Sequence, residues 1–354
     1  MHPINNQLFN LTYYNTLQPI VQIYHCASPE WGPYDFLNGY QNCNNSDFKC
    51  HITSSKDIDY LSHTSKQLNM IDNTISVGIY HRQSCPVSPT SCKPHVNLTL
   101  SSLMEAITLF PDQSNDFIVR NQHYDGSITI HPWATIPRVY PEAILNSNDF
   151  LPLQNFSTLV KAAAFVSSAC HLHDGSNANR AGTIVRLREL GLRIDGLGGC
   201  LHSLGPDGVE MKHKDQFGAI NHYMFYIAHE NSYEPGYVSE KGFNGLRAGT
   251  VPIYFGDCIR YRALLPHPRA AILACDYTDL QALVDHIHYL MQNETAYEEH
   301  RAWRRDFSYD KYMAHMNKHP LIGKSWLCRT CEWAMHTYYH EPHRLKRHSE
   351  MCPN

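Results

Sequence analysis

The most regular hydrophobic pattern in the chain lies between residues 224 and 256. A continuous apolar run from Met224 to Ala228 predicts a buried strand, and the polar segment from Glu230 to Gly236 predicts a loop. A helix is expected to open near Ser239, and a second apolar run from Thr250 to Phe255 predicts another strand, ended by Gly256. The segment is therefore predicted to form a strand, a loop, a helix and a strand in succession.

The same alternation continues on both sides of this segment. Further strands are predicted at Lys161–Ser168, Leu192–Asp195 and Ala271–Cys275. Apolar residues at helical spacing predict two helices. The first starts at Arg180, ends at Gly191 and buries Ile184, Leu187 and Leu190. The second is capped by Thr278 or Asp279 and buries Leu280, Leu283, Val284, Ile287 and Leu290. Alternating strands and helices predict an α/β fold with a parallel sheet, whose ligands bind at the carboxyl ends of the strands.

The first part of the chain predicts a second core. Ile20–Tyr24 and Thr74–Tyr80 read as strands, whereas Pro111–Asn155 is rich in Pro, Asn and Asp and predicts loops and short elements. With 354 residues, 43% of them hydrophobic and 18% charged, the chain is globular and long enough for two cores. We predict one domain over residues 1–155, a second over 156–320, and a Cys-containing tail over 321–354.

Residues at the predicted helix start suit a nucleotide carrying phosphate. Free N–H groups and the positive end of the helix dipole favour an anion there. Lys241 can neutralise diphosphate oxygens, Glu240 can accept hydrogen bonds from two ribose hydroxyls, and Tyr237 offers a flat face and a hydroxyl. From spacing alone the simpler alternative is a capped helix with a solvated Lys241. Arg180 is similarly either a fork for diphosphate oxygens or a solvated first-turn residue.

Charge and hydropathy narrow the class of protein. A net charge of −4 and a pI near 6.6 give no basic surface for nucleic acid as the main partner. No apolar run approaches the roughly 20 residues that cross a bilayer, and the N-terminus lacks the pattern of a signal peptide. These features predict either a soluble form or an anchor absent from this numbering.

Several of these segments resemble one enzyme family. The donor-site signature of the α1,3/4-fucosyltransferases, glycosyltransferase family 10, is similar to Glu230-Asn231-Ser232, Tyr237-Val238-Ser239-Glu240-Lys241, Ala248-Gly249-Thr250-Val251-Pro252 and Gly256. Ser239 stands where that family usually has Thr. The family's preceding block resembles Phe165–Cys170, Asn179-Arg180 and Arg193–Cys200. The resemblance extends from about Leu159 to Arg305 and is fragmentary before that.

The resemblance implies two Rossmann-like domains facing each other across a cleft, the GT-B fold, and an inverting transfer of L-fucose from GDP-β-L-fucose. Arg180 and Lys241 would stabilise the leaving diphosphate beside Ser239, while Glu240 and Tyr237 would hold the ribose and Asn231 would shape the nucleotide pocket. The acceptor would be a glycan or glycoprotein, at O3 of an N-acetylglucosamine. Since no Asp-x-Asp motif stands where a nucleotide-bound metal would be expected, we predict no essential metal and no further cofactor.

The general base departs from the family pattern. In the family a strand ends in a Glu-Ser-Pro segment whose Glu is taken to deprotonate the acceptor hydroxyl, and in this chain Gln83 falls at that position. A Gln amide is barely basic and cannot accept the proton. Three alternatives follow: another carboxylate serves, the base is His81, or the protein binds the donor and turns over poorly. The nearest carboxylates in sequence are Glu105, Asp112 and Asp116.

Twelve Cys and five acceptor sequons fit an oxidising lumen. The sequons lie at Asn10, Asn44, Asn97, Asn155 and Asn293. The family implies a type II Golgi enzyme whose anchor would precede these residues. Cys328 and Cys331, with His343 and His348, come within one residue of a two-Cys-two-His zinc finger. The resemblance favours disulfides instead, either within the Cys-x-x-Cys pair or back to Cys residues such as Cys43 and Cys50.

Overall fold

The computed structural model describes residues 19–26, 39–41, 43, 48–55, 74–81, 97–106, 124–141, 145, 150–168, 170, 178–203, 216–316 and 325–341. The chain divides into two compact units, residues 1–101 with 327–354, and residues 102–326. The boundary predicted near residue 155 and the separate tail from residue 321 stay predictions.

The first unit is built on a mainly parallel sheet. Its strands are β1 (Ile20–Cys26), β2 (Gly39–Gln41), β3 (Lys49–Ser55), β4 (Thr74–His81) and β5 (Leu98–Leu103). Their order is β2-β3-β1-β4-β5, in which β1 runs parallel to both β3 and β4 and β2 is antiparallel to β3. All five residues 75–79 of β4 are buried, as expected for a strand covered on both faces. The two strands predicted here are confirmed.

The second unit contains a short strand pair, a five-stranded sheet and most of the helices. Its strands are β6 (Gly126–Thr129), β7 (Ile136–Pro137), β8 (Val160–Phe165), β9 (Ile194–Gly196), β10 (Tyr223–His229), β11 (Val251–Phe255) and β12 (Ile272–Leu273). Its helices are α1 (Arg180–Glu189), α2 (Gln216–Asn221), α3 (Glu240–Ala248), α4 (Cys258–Leu264), α5 (Leu280–Gln292), α6 (Glu294–Arg301) and α7 (Tyr309–Met316). Single 3₁₀ turns cover Phe156–Thr158, Ala274–Asp276 and Ala302–Arg304.

The five-stranded sheet is parallel throughout and has the order β12-β11-β10-β8-β9. Strand β10 is central and all seven of its residues are buried, because helices cover both faces of the sheet. The predicted α/β arrangement is confirmed. One predicted element is shorter than expected: the segment Ala271–Cys275 forms a strand only at Ile272–Leu273, since Ala274 already accepts the hydrogen bond of a 3₁₀ turn from Tyr277.

The tail belongs to the first unit through helix α8 (Trp326–His340) and two disulfides. Cys43 bonds to Cys328 and Cys50 bonds to Cys331. The disulfide alternative is therefore correct, and the zinc-finger interpretation is wrong, because cysteines joined in disulfides cannot act as thiolate ligands. His343 and His348 lie outside the described residues. Two further disulfides, Cys170–Cys200 and Cys258–Cys275, lie in the second unit.

No helix in the described ranges is long and apolar enough to cross a bilayer.

Candidate functional site

The candidate site that the sequence predicts lies where β10 ends and α3 begins. Ser239 is the N-cap of α3, and Glu240 and Lys241 are its first two residues. At the other end, Gly249 caps the helix with a φ of 81°, in the left-handed region that glycine enters without strain. Arg304 donates to the carbonyl of Leu246 at 2.6 Å, so an arginine faces the negative end of the dipole. The helix is therefore well defined at both ends.

Glu230 fixes the loop between β10 and α3. Its carboxylate is fully buried and accepts hydrogen bonds from Ser239 N at 2.8 Å, from Ser239 Oγ at 2.5 Å and from the Tyr254 hydroxyl at 3.3 Å. Burial raises the pKa of Glu230, and the charge of Lys241 opposes that rise. Gly256 is required here, because a Cβ at this position would lie 2.7 Å from Cγ of Glu230 and 2.5 Å from the Tyr254 hydroxyl.

Lys241 is the centre of charge at the helix start. Its Nζ lies 2.9 Å from Ser239 Oγ, 3.1 Å from a carboxylate oxygen of Glu240 and 3.7 Å from one of Glu230. Burial alone would lower the pKa of Lys241, but the two carboxylates raise it above its ordinary value. Lys241 in turn holds the pKa of Glu240 below its usual range despite burial. The solvated Lys241 of the simpler alternative is wrong, because its side chain is only 19% exposed.

Arg180 is the first residue of α1 and is buried, with 7% of its surface exposed. Burial lowers its pKa, while the charges of Glu230 and Glu240 oppose that change. In the part of the chain that the structure describes, Nε of Arg180 has no hydrogen-bond partner. A buried donor without a partner is unusual. Arg180 is therefore not the solvated first-turn residue of the simpler alternative, and its contact with a diphosphate stays a prediction.

Tyr237 and Asn231 share one partner that sequence analysis did not link to them. The Tyr237 hydroxyl and Asn231 Nδ2 each donate to Oε2 of Glu105 at 3.1 Å. Tyr237 is 1% exposed and Asn231 is 9% exposed. Their predicted contacts with the ribose and the nucleotide stay predictions. The structure adds that both side chains are fixed by the same carboxylate.

The other predicted candidates for the base fall largely outside the described residues. Gln83, Asp112 and Asp116 are among those not described, and only the backbone of His81, the last residue of β4, is. Glu105 alone of the predicted alternatives has a described side chain. Within the same ranges no three His, Cys, Asp or Glu side chains are grouped to hold a metal ion. Independence from metal stays a prediction.

His229 at the end of β10 is buried and neutral. Its Nδ1 lies 2.8 Å from the carbonyl oxygen of Glu230, which can only accept, so Nδ1 carries the proton and Nε2 accepts from the Tyr233 hydroxyl at 3.3 Å. The ring stacks on Phe255 at 5.0 Å between centroids. Burial lowers the pKa of His229 to about 4.

The depressed pKa of His229 predicts loss of stability in mild acid. Between about pH 6.5 and pH 4 the unfolded chain binds a proton at this position that the folded chain does not. The contribution of His229 to the free energy of unfolding should therefore be greatest above pH 6.5 and about 3 kcal/mol smaller near pH 4. Urea unfolding at pH 7.5 and pH 4.5 checks this. His229→Gln should remove that part of the pH dependence and His222→Gln, at an exposed position, should keep it; equal slopes in both variants would contradict the assignment.

Sequence analysis missed Glu230 as an organising residue. Its signal was present, since an acidic residue closely follows the apolar run Met224–Ala228 and precedes the helix cap Ser239 by nine residues. Only the fold shows that this carboxylate turns inward to bind that cap.

Comparison with known proteins identifies the family. Residues 156–347 match the sequence profile of glycosyltransferase family 10 (fucosyltransferase), C-terminal part. The match covers more than half of the chain, and the protein belongs to this family. The α/β class and the two mainly parallel sheets of a GT-B fold are thereby confirmed.

Individual relatives are distant. The chain is 28% identical over 225 residues to an α-(1,4)-fucosyltransferase of Arabidopsis thaliana, covering 60% of this chain and 54% of that protein. It is 28% identical to an α-(1,3)-fucosyltransferase of Caenorhabditis elegans, over 49% of this chain and 38% of that protein. It is 27% identical to GDP-fucose protein O-fucosyltransferase 3 of Gallus gallus, over 46% of this chain and 35% of that protein. The chain thus spans about half or less of the length of these relatives. A crystal structure of an α1,3-fucosyltransferase with GDP-fucose is similar at 16% identity and a TM-score of 0.41, covering 86% of this chain and 92% of that one.

Proposed function

We propose that the protein is an inverting α1,3-fucosyltransferase that moves L-fucose from GDP-β-L-fucose to an N-acetylglucosamine of a glycan or glycoprotein. The observation that carries this proposal is Lys241 in the first turn of α3, together with a buried Arg180 whose charge interacts with the same two carboxylates, Glu230 and Glu240. The carboxylates of Glu230 and Glu240 act on both cations. Two fixed positive charges at a helix start suit a diphosphate.

The donor would enter this site by replacing the contact between Lys241 and Glu240. The diphosphate oxygens would accept hydrogen bonds from the ammonium of Lys241 and from the guanidinium of Arg180. Nε of Arg180 would thereby gain a partner. Glu240 would then be free to accept hydrogen bonds from the ribose hydroxyls. Tyr237 and Asn231, held by Glu105, would close the pocket around the nucleoside.

The chemistry is a single displacement. The acceptor oxygen forms a bond to the anomeric carbon as the bond between that carbon and the diphosphate oxygen breaks, and GDP leaves with the electron pair. The β-linked donor gives an α-linked product. Negative charge grows on the leaving diphosphate in the transition state, so Lys241, Arg180 and the dipole of α3 act most strongly there.

The location that fits best is the lumen of the secretory pathway. Four disulfides in the described residues support an oxidising compartment. By resemblance, the enzyme would be held in the Golgi membrane by an anchor outside these residues.

Release of GDP from GDP-fucose tests the proposal. We expect release that depends on an acceptor drawn from N-glycans, lactosamine glycans and protein substrates, and that persists in EDTA. Loss of activity in EDTA with recovery in manganese would overturn the metal-free mechanism. GDP binding without release on any acceptor would favour the second candidate, a donor-binding relative with weak catalysis, which Gln83 supports.

A further inference from the structure

Five carboxylates lie on or against the loop between β10 and α3, and four of them are committed to other groups. Glu230 holds Ser239 and Tyr254, Glu240 pairs with Lys241 at 3.1 Å, Glu234 lies 2.5 Å from Nε2 of His131, and Asp257 accepts from the backbone N–H groups of Gly236 at 2.7 Å and Arg260 at 3.0 Å. The fifth is Glu105, which directly follows β5. Unlike Glu240, it pairs with no cation: its partners are the side chains of Tyr237 and Asn231.

Glu105 is fixed through one oxygen only. Oε2 accepts from Tyr237 and Asn231, both at 3.1 Å, and in the described part of the chain Oε1 accepts no hydrogen bond. The side chain is half-buried, so Oε1 is held in place and still reachable. A carboxylate anchored on one side and open on the other can accept a proton from a bound hydroxyl.

The two described histidines nearest to the loop are unsuited to this role. His229 is 1% exposed, its Nδ1 carries the proton, and its pKa of about 4 makes it a poor base. His131 is fully buried, with Nε2 against Glu234 and Nδ1 3.2 Å from Thr129 Oγ1. Neither ring presents a free nitrogen to a substrate.

Glu105 is also placed on the donor side. Tyr237, which donates to Glu105, precedes the cap of α3 by two residues. The charge of Glu105 also contributes to the raised pKa of Lys241 in the first turn of that helix. An acceptor hydroxyl that contacts Oε1 would therefore approach a sugar whose diphosphate lies at that helix start. The hydrogen bonds from Tyr237 and Asn231 would couple donor binding to the orientation of Glu105.

We propose that Glu105 is the general base that deprotonates the acceptor hydroxyl, in place of the carboxylate that Gln83 lacks. This inference rests on the proposed fucosyl transfer. As the acceptor oxygen bonds to the anomeric carbon and GDP leaves, the hydroxyl proton passes to Oε1 of Glu105. The protonated carboxyl then releases the proton to solvent, which restores the base.

Glu105→Gln is the main test. The amide has the shape of the carboxylate, and its oxygen can keep the hydrogen bonds from Tyr237 and Asn231, but it cannot take a proton. We expect kcat to fall by about 10²–10⁴-fold, while the KM for GDP-fucose and the affinity for GDP change little. Glu299→Gln, which alters an exposed carboxylate paired with Arg269, is the matched control and should keep wild-type kcat.

A second variant separates a lost base from a lost contact. Glu105→Ala should be as slow as the Gln variant, and added formate should restore at least a tenth of the wild-type kcat, because a small carboxylate can enter the space left by the side chain. Loss of donor affinity with unchanged kcat in Glu105→Gln would make Glu105 a positioning residue and overturn the proposal. So would wild-type kcat in that variant, or a tenfold gain from Gln83→Glu.

The inference and the proposed function fail in different ways. A wild-type chain that binds GDP-fucose yet releases no GDP, either to the acceptor panel or to water, would overturn both. A wild-type chain that transfers fucose, together with a Glu105→Gln variant that does so equally fast, would overturn only the role of Glu105.

Discussion

Lys241→Ala is expected to lower kcat/KM for GDP-fucose by about 10²–10³-fold, the usual effect of removing one preorganised group from a developing charge. The loss should appear in both constants, because the diphosphate is charged in the ground state and gains charge as GDP leaves. GDP affinity, measured by calorimetry, should fall with KM. Lys241→Arg should recover part of the activity, since it restores the positive charge with a different shape.

The matched control for this experiment is Lys161→Ala. Lys161 is exposed and packs over the ring of Phe156, 5.6 Å from its centroid, away from the helix start. Its removal should leave kcat/KM within about twofold of wild type, as expected for a surface change. Near-normal kcat/KM in Lys241→Ala would contradict the placement of the diphosphate at α3.

Local pattern was enough to predict the helix start and the strands around it. The run Met224–Ala228 lies inside β10, and Ser239 is the observed cap of α3. Both could be predicted because a buried strand and a helix cap depend on residues that are neighbours in the sequence. The sequence also singled out Arg180 and Lys241 as candidate diphosphate ligands, and the family resemblance favoured that role, which stays a prediction. Spacing alone left a solvated alternative open.

The partners of these residues required the fold. Glu105 is separated from Asn231 by 126 positions and from Tyr237 by 132, and no periodicity connects such distant residues. The inward turn of Glu230 likewise depends on Tyr254 and Gly256 in the next strand. A buried carboxylate is unfavourable in isolation, so nothing local in the sequence predicts it until its partners are in place.

The hydrogen bonds of Glu230 and those of Glu105 have the same effect on the loop between β10 and α3. Glu230, which directly follows β10, accepts from the cap of α3, and Glu105 accepts from Tyr237 and Asn231 in the loop between them. The loop that carries the proposed donor site is thus fixed at both ends before any ligand binds. Preorganisation of this kind reduces the conformational entropy that is lost on binding, and it keeps Lys241 in a fixed position for the diphosphate.

Glu230→Ala is expected to destabilise the protein by about 3–5 kcal/mol, the effect of removing one partner from a buried charged network. The change leaves Ser239 N–H, the Ser239 hydroxyl and the Tyr254 hydroxyl without their acceptor, and it removes one of the two carboxylates beside Lys241. The start of α3 should loosen, so GDP affinity should fall as well. Urea unfolding and calorimetry with GDP measure the two effects.

Glu230→Gln provides the sharper comparison, because it keeps the volume and an acceptor oxygen for Ser239 N–H. It should cost less stability than the Ala variant, and its disadvantage relative to wild type should shrink as pH rises. Burial raises the pKa of Glu230, so over a pH range above about 4.5 the folded wild type keeps a proton that the unfolded chain releases. The contribution of Glu230 to wild-type stability therefore falls as pH rises through that range, whereas Gln at this position does not titrate. Glu299→Ala, at an exposed ion pair, should change stability by under about 1 kcal/mol. An Ala variant at position 230 no less stable than this control would mean that the buried carboxylate does not hold the loop.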